Sequence, residues 1–255
     1  MAESRRQKFD PSSFKPLKLS RSRLEMFMRC SRCFYLDTRE GIKSPKPYPY
    51  SLNSAVDRLL KNEFDIYRAQ GKPHPLMQKH GINGIPFAHP QLEVWRHQFE
   101  GMSSYYVPAH CVVTGALDDP WFILTDNALA VADYKSTSVN EPHPIGSTYW
   151  DGFKRQLEIY AWLLARQETG YPVASTHYFV FANAKKDLPA FNATLHFDME
   201  VIAVTVGSLA WVEEVIVAAC ACLRSNTIPP LEEKCDLCRY QIQVAKLAKE
   251  KSPTA

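Results

Sequence analysis

The stretch Gly115-Ala-Leu-Asp118, followed by Val131-Ala-Asp133-Tyr-Lys135-Ser-Thr137, decides how this chain is read. Asp133 and Lys135 stand two apart at the end of the apolar run Ala-Leu-Ala-Val-Ala, and side chains two apart on a strand share a face. An acid and a base therefore project together. An ionised carboxylate at the mouth of a buried strand is costly unless compensated, which the neighbouring lysine or a divalent cation would do. Asp118 closes the preceding run, Thr-Gly-Ala-Leu-Asp, and a meander would carry that end close to Asp133. Two carboxylates converging from adjacent strands make a hard-oxygen site suited to Mg²⁺ or Mn²⁺.

Around this centre the pattern changes between strands and helices. Residues 111–117, 121–124 and 128–134 are short apolar runs separated by Asp-Asp-Pro and Thr-Asp-Asn, the pattern of an antiparallel meander. Asp119, next to Pro120, reads as a turn cap. Upstream, Ser22 and Glu25 have capping-box spacing, and Leu24, Phe27, Met28, Phe34 and Tyr35 follow a helical period, which predicts a helix over 22–37. Residues 44–50, with Pro45, Pro47 and Pro49, resemble a linker. Leu52, Val56, Leu59, Leu60, Phe64 and Tyr67 then mark a second amphipathic helix. Residues 71–90, rich in Gly, Pro and His, show no period and read as a loop in which His74, His80 and His89 are solvated. Trp95, Arg96 and His97 read as a half-buried strand or helix edge. Downstream, 150–166 returns to helical spacing, and 176–181 and 194–197 read as strands. The apolar segment 201–223 reads as a buried helix, because Glu213 and Glu214 interrupt it too soon for a membrane span. Helices flanking one mixed central sheet, in a single α/β domain, account for this order.

A length of 255 residues with 45% hydrophobic content fits a soluble globular protein that buries a real core. With 30 basic against 27 acidic residues the net charge is +3, which by itself does not announce a nucleic-acid binder. The charge is uneven, however. Arg5, Arg6, Lys8, Lys15, Lys18, Arg21 and Arg23 face only Glu3 and Asp10 in the first 23 residues, so this arm is either fitted to lie along phosphates or is a solvated tail. The expected organisation is a basic arm over 1–20, one domain over 21–245 and a tail over 246–255. No apolar region follows the first basic residues, so a secretory signal is not expected and the location expected is cytoplasmic. Seven cysteines in a reducing compartment point to metal chemistry before disulfides. Cys30-x-x-Cys33 and Cys235-x-x-Cys238 supply four thiolates for zinc or an iron–sulphur cluster, which spacing does not separate, and such a site would staple the first helix to the C-terminal segment. Cys111, Cys220 and Cys222 read as core.

Taken with Gln156-Leu-Glu-Ile-Tyr160, the order of these motifs resembles the RecB-type nuclease pattern of the PD-(D/E)XK superfamily: a strand Asp, an Asp-x-Lys, then a helix bearing Gln-x-x-x-Tyr. Leu19-Ser-Arg-Ser-Arg-Leu24 and Cys30-Ser-Arg-Cys-Phe-Tyr-Leu36 are similar to the family's first helix. The resemblance implies a restriction-endonuclease-like α/β core and a metal-dependent deoxyribonuclease. It further implies an exonuclease on DNA ends or single strands, in repair, recombination or CRISPR-type processing, with helicase or CRISPR-type proteins as partners. The implied catalytic residues are Asp118, Asp133, Lys135, Gln156 and Tyr160. Asp118, Asp133 and the Tyr134 carbonyl would hold the metal, Lys135 would position or activate the attacking water, and Gln156 and Tyr160 would support the lysine or hold the substrate backbone. Relatives usually carry a histidine ligand in the preceding helix, where Leu52-Asn-Ser-Ala-Val-Asp57 here places Asp57. That residue is either a third ligand, for which a hard cation is well suited, or a solvated partner of Arg58 or Lys61. Glu63 and Asp65 are further carboxylates on the same helix. For the cysteines the resemblance favours a 4Fe-4S cluster over Zn²⁺, although relatives usually divide them one and three and this chain divides them two and two. A non-catalytic nucleic-acid-binding or scaffolding subunit that keeps the fold is the alternative.

Overall fold

The apolar runs between 111 and 137 do become strands, but of two different sheets. A computed structural model describes residues 8–45, 51–139 and 148–251. Arg5, Arg6, Pro47 and Pro49 lie outside these. In chain order the described residues form β1 (Leu17–Ser20), α1 (Arg21–Arg29), α2 (Ser31–Tyr35), α3 (Ser51–Gln70), α4 (Pro75–Lys79), β2 (Gly84–Pro86) and α5 (Leu92–Arg96). Then come β3 (Met102–Tyr106), β4 (Cys111–Gly115), β5 (Asp119–Ile123), β6 (Ala128–Thr137), α6 (Thr148–Leu164), β7 (Thr176–Ala184), β8 (Phe197–Thr205), α7 (Ala210–Arg224) and α8 (Asp236–Lys251). One sheet has the order β1-β4-β3 and the other β2-β5-β6-β7-β8. The expected three-stranded meander is thus only the pair β5–β6, because β4 hydrogen-bonds elsewhere. None of the described helices is long and apolar enough to cross a membrane. Two compact units are distinguished, one drawn from 48–104 and 113–212, the other from 1–47, 105–112 and 213–255.

In the first of these units, β5 and β6 are antiparallel with Asp119 opposite Ala132, while β6 and β7 run parallel with Asp133 opposite Phe179. The sheet is therefore mixed, as expected. Alternation along β6 sends its residues to two faces. Ala128, Ala130, Ala132 and Tyr134 join a core with Leu60 and Phe64 of α3 and Trp121 of β5, where Phe64 stacks on Trp121 at 5.5 Å. Asp133 and Lys135 take the other face, where Gln156 of α6 meets them. Full burial of a side chain such as Phe64 or Trp121 contributes about 2 kcal/mol or more. Two expectations fail here. Residues 71–90 hold α4 and the edge strand β2, whose Ile85 pairs with Phe122. The segment read as one helix over 201–223 starts as β8, antiparallel to β7, and residues 194–196 precede that strand.

In the other unit, the helix expected over 22–37 is interrupted. Cys30 adopts an extended backbone, φ −164° and ψ 105°, and its sulfur caps α2 by accepting from the Cys33 amide at 3.3 Å. Ser20, not Ser22, precedes α1, and its side chain makes no capping bond. After α2 a π-helical turn over Leu36–Glu40 ends at Gly41, whose φ of 74° suits glycine. The Arg39 guanidinium donates to the Leu223 carbonyl at 2.7 Å and to Asn226 Oδ1 at 2.8 Å, and Arg32 donates to the Pro229 carbonyl at 2.8 Å. These bonds bring the segment before α8 against α2, and α8 starts one residue after Cys235 and continues to Lys251.

Candidate nuclease site

Asp133 is fully buried, an expensive place for a carboxylate. Its charge is met by the Lys135 ammonium, and its Oδ1 accepts from Gln156 Nε2 at 2.6 Å. The same amide nitrogen reaches the Tyr160 hydroxyl at 3.3 Å, and Gln156 Oε1 accepts from Lys135 Nζ at 3.4 Å. Gln156 and Tyr160 share a face because they are four apart on α6. Lys135 Nζ also lies 5.0 Å from the centre of the Phe153 ring. Burial presses its pKa down, but the Asp133 and Asp118 carboxylates outweigh that and hold it above the usual lysine range.

Asp118 immediately precedes β5, so the register that sets Asp119 opposite Ala132 brings it beside Asp133. Its Oδ2 accepts from the Tyr134 amide at 2.9 Å. Its Oδ1 lies 2.9 Å from Lys61 Nζ, which also lies 2.9 Å from Asp57 Oδ2. Burial and the nearby Asp118 charge push the Asp57 carboxyl above the usual range. Asp57 is thus both paired with Lys61 and drawn to the site. A cleft of about 480 Å³, lined among others by Asn53, Asp57, Tyr134 and Lys135, opens there. Asp57, Asp118 and Asp133 do not converge as closely as metal ligands in this structure, and two ammonium groups, Lys61 and Lys135, pair with the three carboxylates. As a donor set they remain hard oxygens of the kind that binds Mg²⁺ or Mn²⁺.

Behind Asp118 the structure reveals a group that the sequence reading placed wrongly. Asp119 does not cap a turn. It is the first residue of β5, its exposure is 0%, and it accepts from Arg68, Arg96, Trp121 Nε1 at 3.0 Å and the Tyr134 hydroxyl at 3.0 Å. Burial pushes the Asp119 carboxyl above the usual range, and the two guanidiniums and the two hydrogen-bond donors offset that cost only in part. Arg96 Nε also donates to the Asp118 backbone carbonyl at 3.0 Å. A hint was available in the alternation Asp119, Trp121, Ile123, which sets a carboxylate on an apolar strand face; its arginines carry no local signal.

Other candidates fall outside the site. Glu63 pairs with His74 at 3.0 Å, and Asp65 is bound by Arg68 and Arg96. His74 is buried, caps α4 and stacks on Phe64 at 3.9 Å, where burial lowers its pKa; the expected solvated imidazole is not what forms. Trp95 and Arg96 lie on the helix α5, with Trp95 buried. Cys111 and Cys220 are core residues, and Cys222 is half-buried.

In the other unit, the ligand atoms of Cys30, Cys33, Cys235 and Cys238 all lie within 4.8 Å of one another. Sγ of Cys30 is 3.6 Å from that of Cys238, and Sγ of Cys33 is 3.6 Å from that of Cys235. Burial pushes the Cys30 and Cys33 thiols up, so without a cation they stay protonated. The extended backbone at Cys30 positions the first pair, and the start of α8 positions the second. The group is compatible with metal binding.

With this geometry in place, a family model described as the PD-(D/E)XK nuclease superfamily matches residues 87–243. The match covers more than half of the chain, which belongs to this superfamily, and the α/β architecture is the restriction-endonuclease-like one. Membership supports nuclease activity. The comparison with curated proteins gave no match. Asp57, Lys61, Cys30 and Cys33 precede the matched segment, so their place rests on the geometry above.

Proposed function

We infer that the protein is a metal-dependent nuclease that hydrolyses DNA phosphodiester bonds, working from DNA ends or on single strands. The observation that carries this reading is the convergence of Asp118, Asp133 and Lys135, with Gln156 bonded to both Asp133 and Lys135. Asp118, Asp133 and the Tyr134 carbonyl would hold a divalent cation, with Asp57 as a further carboxylate beside them. The cation supplies Lewis acidity toward the scissile phosphate and toward a bound water. Lys135, kept charged by its carboxylate neighbours, donates to oxygens at the reaction centre, and Gln156 fixes its direction. Tyr160 holds Gln156 from the next turn of α6. A cleft of about 370 Å³ in the other unit, lined by Lys8, Lys15, Lys18 and Arg23 among others, supports a polyanionic substrate. The resemblance to RecB-type enzymes supports DNA, action at ends, and helicase or CRISPR-type partners.

At the four cysteines the sulfur spacing supports the zinc alternative over the 4Fe-4S cluster. Thiolates about 2.3 Å from one zinc ion stand roughly 3.8 Å apart at tetrahedral angles, which fits these sulfurs. A four-iron cluster gives each thiolate its own iron and spreads the sulfurs further.

The test is cleavage of end-labelled linear, circular and single-stranded DNA, and of RNA, with Mn²⁺ or Mg²⁺. Shortening of linear DNA with circles left intact supports the reading; RNA cleavage with DNA untouched contradicts it. One observation favours the non-catalytic alternative: the Lys61 ammonium already bridges the Asp57–Asp118 pair and offsets one of its two charges. DNA binding without cleavage under every divalent cation would establish that alternative.

A further inference from the structure

We propose that Asp119 and Arg96 are positioning residues that set the metal-binding oxygens of Asp118 from behind the sheet. The inference rests on the metal site proposed above and deepens it. Two routes run from the Asp119 carboxylate to Asp118. Along the first, Asp119 Oδ1 accepts from Arg96 at 2.9 Å, and Arg96 Nε donates to the Asp118 carbonyl at 3.0 Å. Along the second, Asp119 Oδ2 accepts from the Tyr134 hydroxyl at 3.0 Å, and the Tyr134 amide donates to Asp118 Oδ2 at 2.9 Å. The backbone and the carboxylate of Asp118 are therefore each tied, through one residue, to the same buried anion. Arg96 and Asp119 are almost closed to solvent, so little water is present to relax the arrangement.

Arg68 is a built-in comparison. It binds the same two acids as Arg96, Asp119 and Asp65, and spends its Nε on the Phe87 carbonyl at 2.8 Å instead of on Asp118. A purely structural ion network would respond alike to losing either guanidinium. A positioning role makes them unequal, because outer partners that orient metal ligands typically contribute about 10–100-fold to metal affinity.

The experiment measures Mn²⁺ binding by calorimetry, and the Mn²⁺ concentration that half-activates DNA cleavage, for the full chain and for Arg96→Lys and Arg68→Lys. Lysine keeps the charge toward Asp119 and Asp65 but loses the guanidinium fork. The expected result is a loss of Mn²⁺ affinity of about tenfold or more in Arg96→Lys and under threefold in Arg68→Lys, with similar losses of thermal stability. Equal Mn²⁺ affinity in the two variants overturns the proposal. If Arg96→Lys does not fold, Tyr134→Phe takes its place: it cuts the second route while keeping the amide and is expected to weaken Mn²⁺ severalfold, and unchanged affinity there also overturns the proposal. Failure of the wild-type chain to bind Mn²⁺ would instead remove the metal site on which the proposal stands.

Discussion

Lys61 Nζ lies 2.9 Å from Asp118 Oδ1, in the position where a cation must sit if Asp57 and Asp118 are to remain side by side. Replacing it by an isosteric apolar chain, Lys61→Met, leaves two facing carboxylates without their shared ammonium. The pair is partly exposed, so solvent screening reduces the cost to about 1–2 kcal/mol. A metal-free sample should melt several degrees lower than wild type, and saturating Mn²⁺ should shrink the deficit, because a cation that binds only the folded state stabilises it. Deficits of the same size in EDTA and in Mn²⁺ would show that the lysine does not share a place with the metal.

Burial at His177 sets an acid limit on stability. Its Nδ1 accepts from the Val131 amide at 3.1 Å, and desolvation depresses its pKa to about 4. The unfolded chain, with a value near 6.5, binds the proton more readily. The contribution is therefore full above about pH 6.5 and is lost progressively as the pH falls through the folded value, about 3 kcal/mol in all. Urea midpoints at pH 7.5 and pH 4.5 should differ more for wild type than for His177→Gln. Parallel losses in the two proteins would assign the acid sensitivity to other groups.

Gly115 leaves no room for a side chain. A Cβ there would stand 2.8 Å from Cε1 of Tyr160 and 2.8 Å from Cδ1 of Leu163. Gly115→Ala must push the Tyr160 ring, and overpacking of this kind costs about 1–3 kcal/mol. Because Tyr160 holds Gln156, the expected outcome is a lower cleavage rate at saturating metal with little change in DNA affinity. A folded variant with the wild-type rate would place Tyr160 outside the machinery.

For the four cysteines, the expected preparation is a colourless protein with one equivalent of zinc and no iron or sulphide, even when purified without oxygen. Extraction of the metal by a strong chelator, or Cys33→Ser, should lower the thermal midpoint, since metal affinity held only by the folded site is folding free energy. A brown protein carrying iron and sulphide would decide for the cluster.

The parts of the site that were legible in the sequence are those fixed by short-range geometry. Period two put Asp133 and Lys135 on one face, and the four-residue spacing put Gln156 and Tyr160 on another. Asp118 was legible as a neighbour of Asp133, although it stands there by leading into β5 and not by closing a run that pairs in the same sheet. Partners remote in sequence were not legible: β4 pairs with β1 and β3 instead of β5, and Asp119 draws its arginines from α3 and α5. The apolar run at 201–205 was misread because a short run carries no period that separates strand from helix. The break at Cys30 escaped notice because its cause is a sulfur accepting an amide, inside a stretch whose period is otherwise helical.

The most direct measurement is the rate at which purified protein, in Mn²⁺, degrades end-labelled DNA, compared among wild type, Asp133→Asn and Lys135→Ala, with folding checked by circular dichroism. The expected result is metal-dependent cleavage by wild type and a loss of at least about a hundredfold in each folded variant, the scale expected when a positioned catalytic group is removed. Cleavage by both variants at the wild-type rate would contradict it.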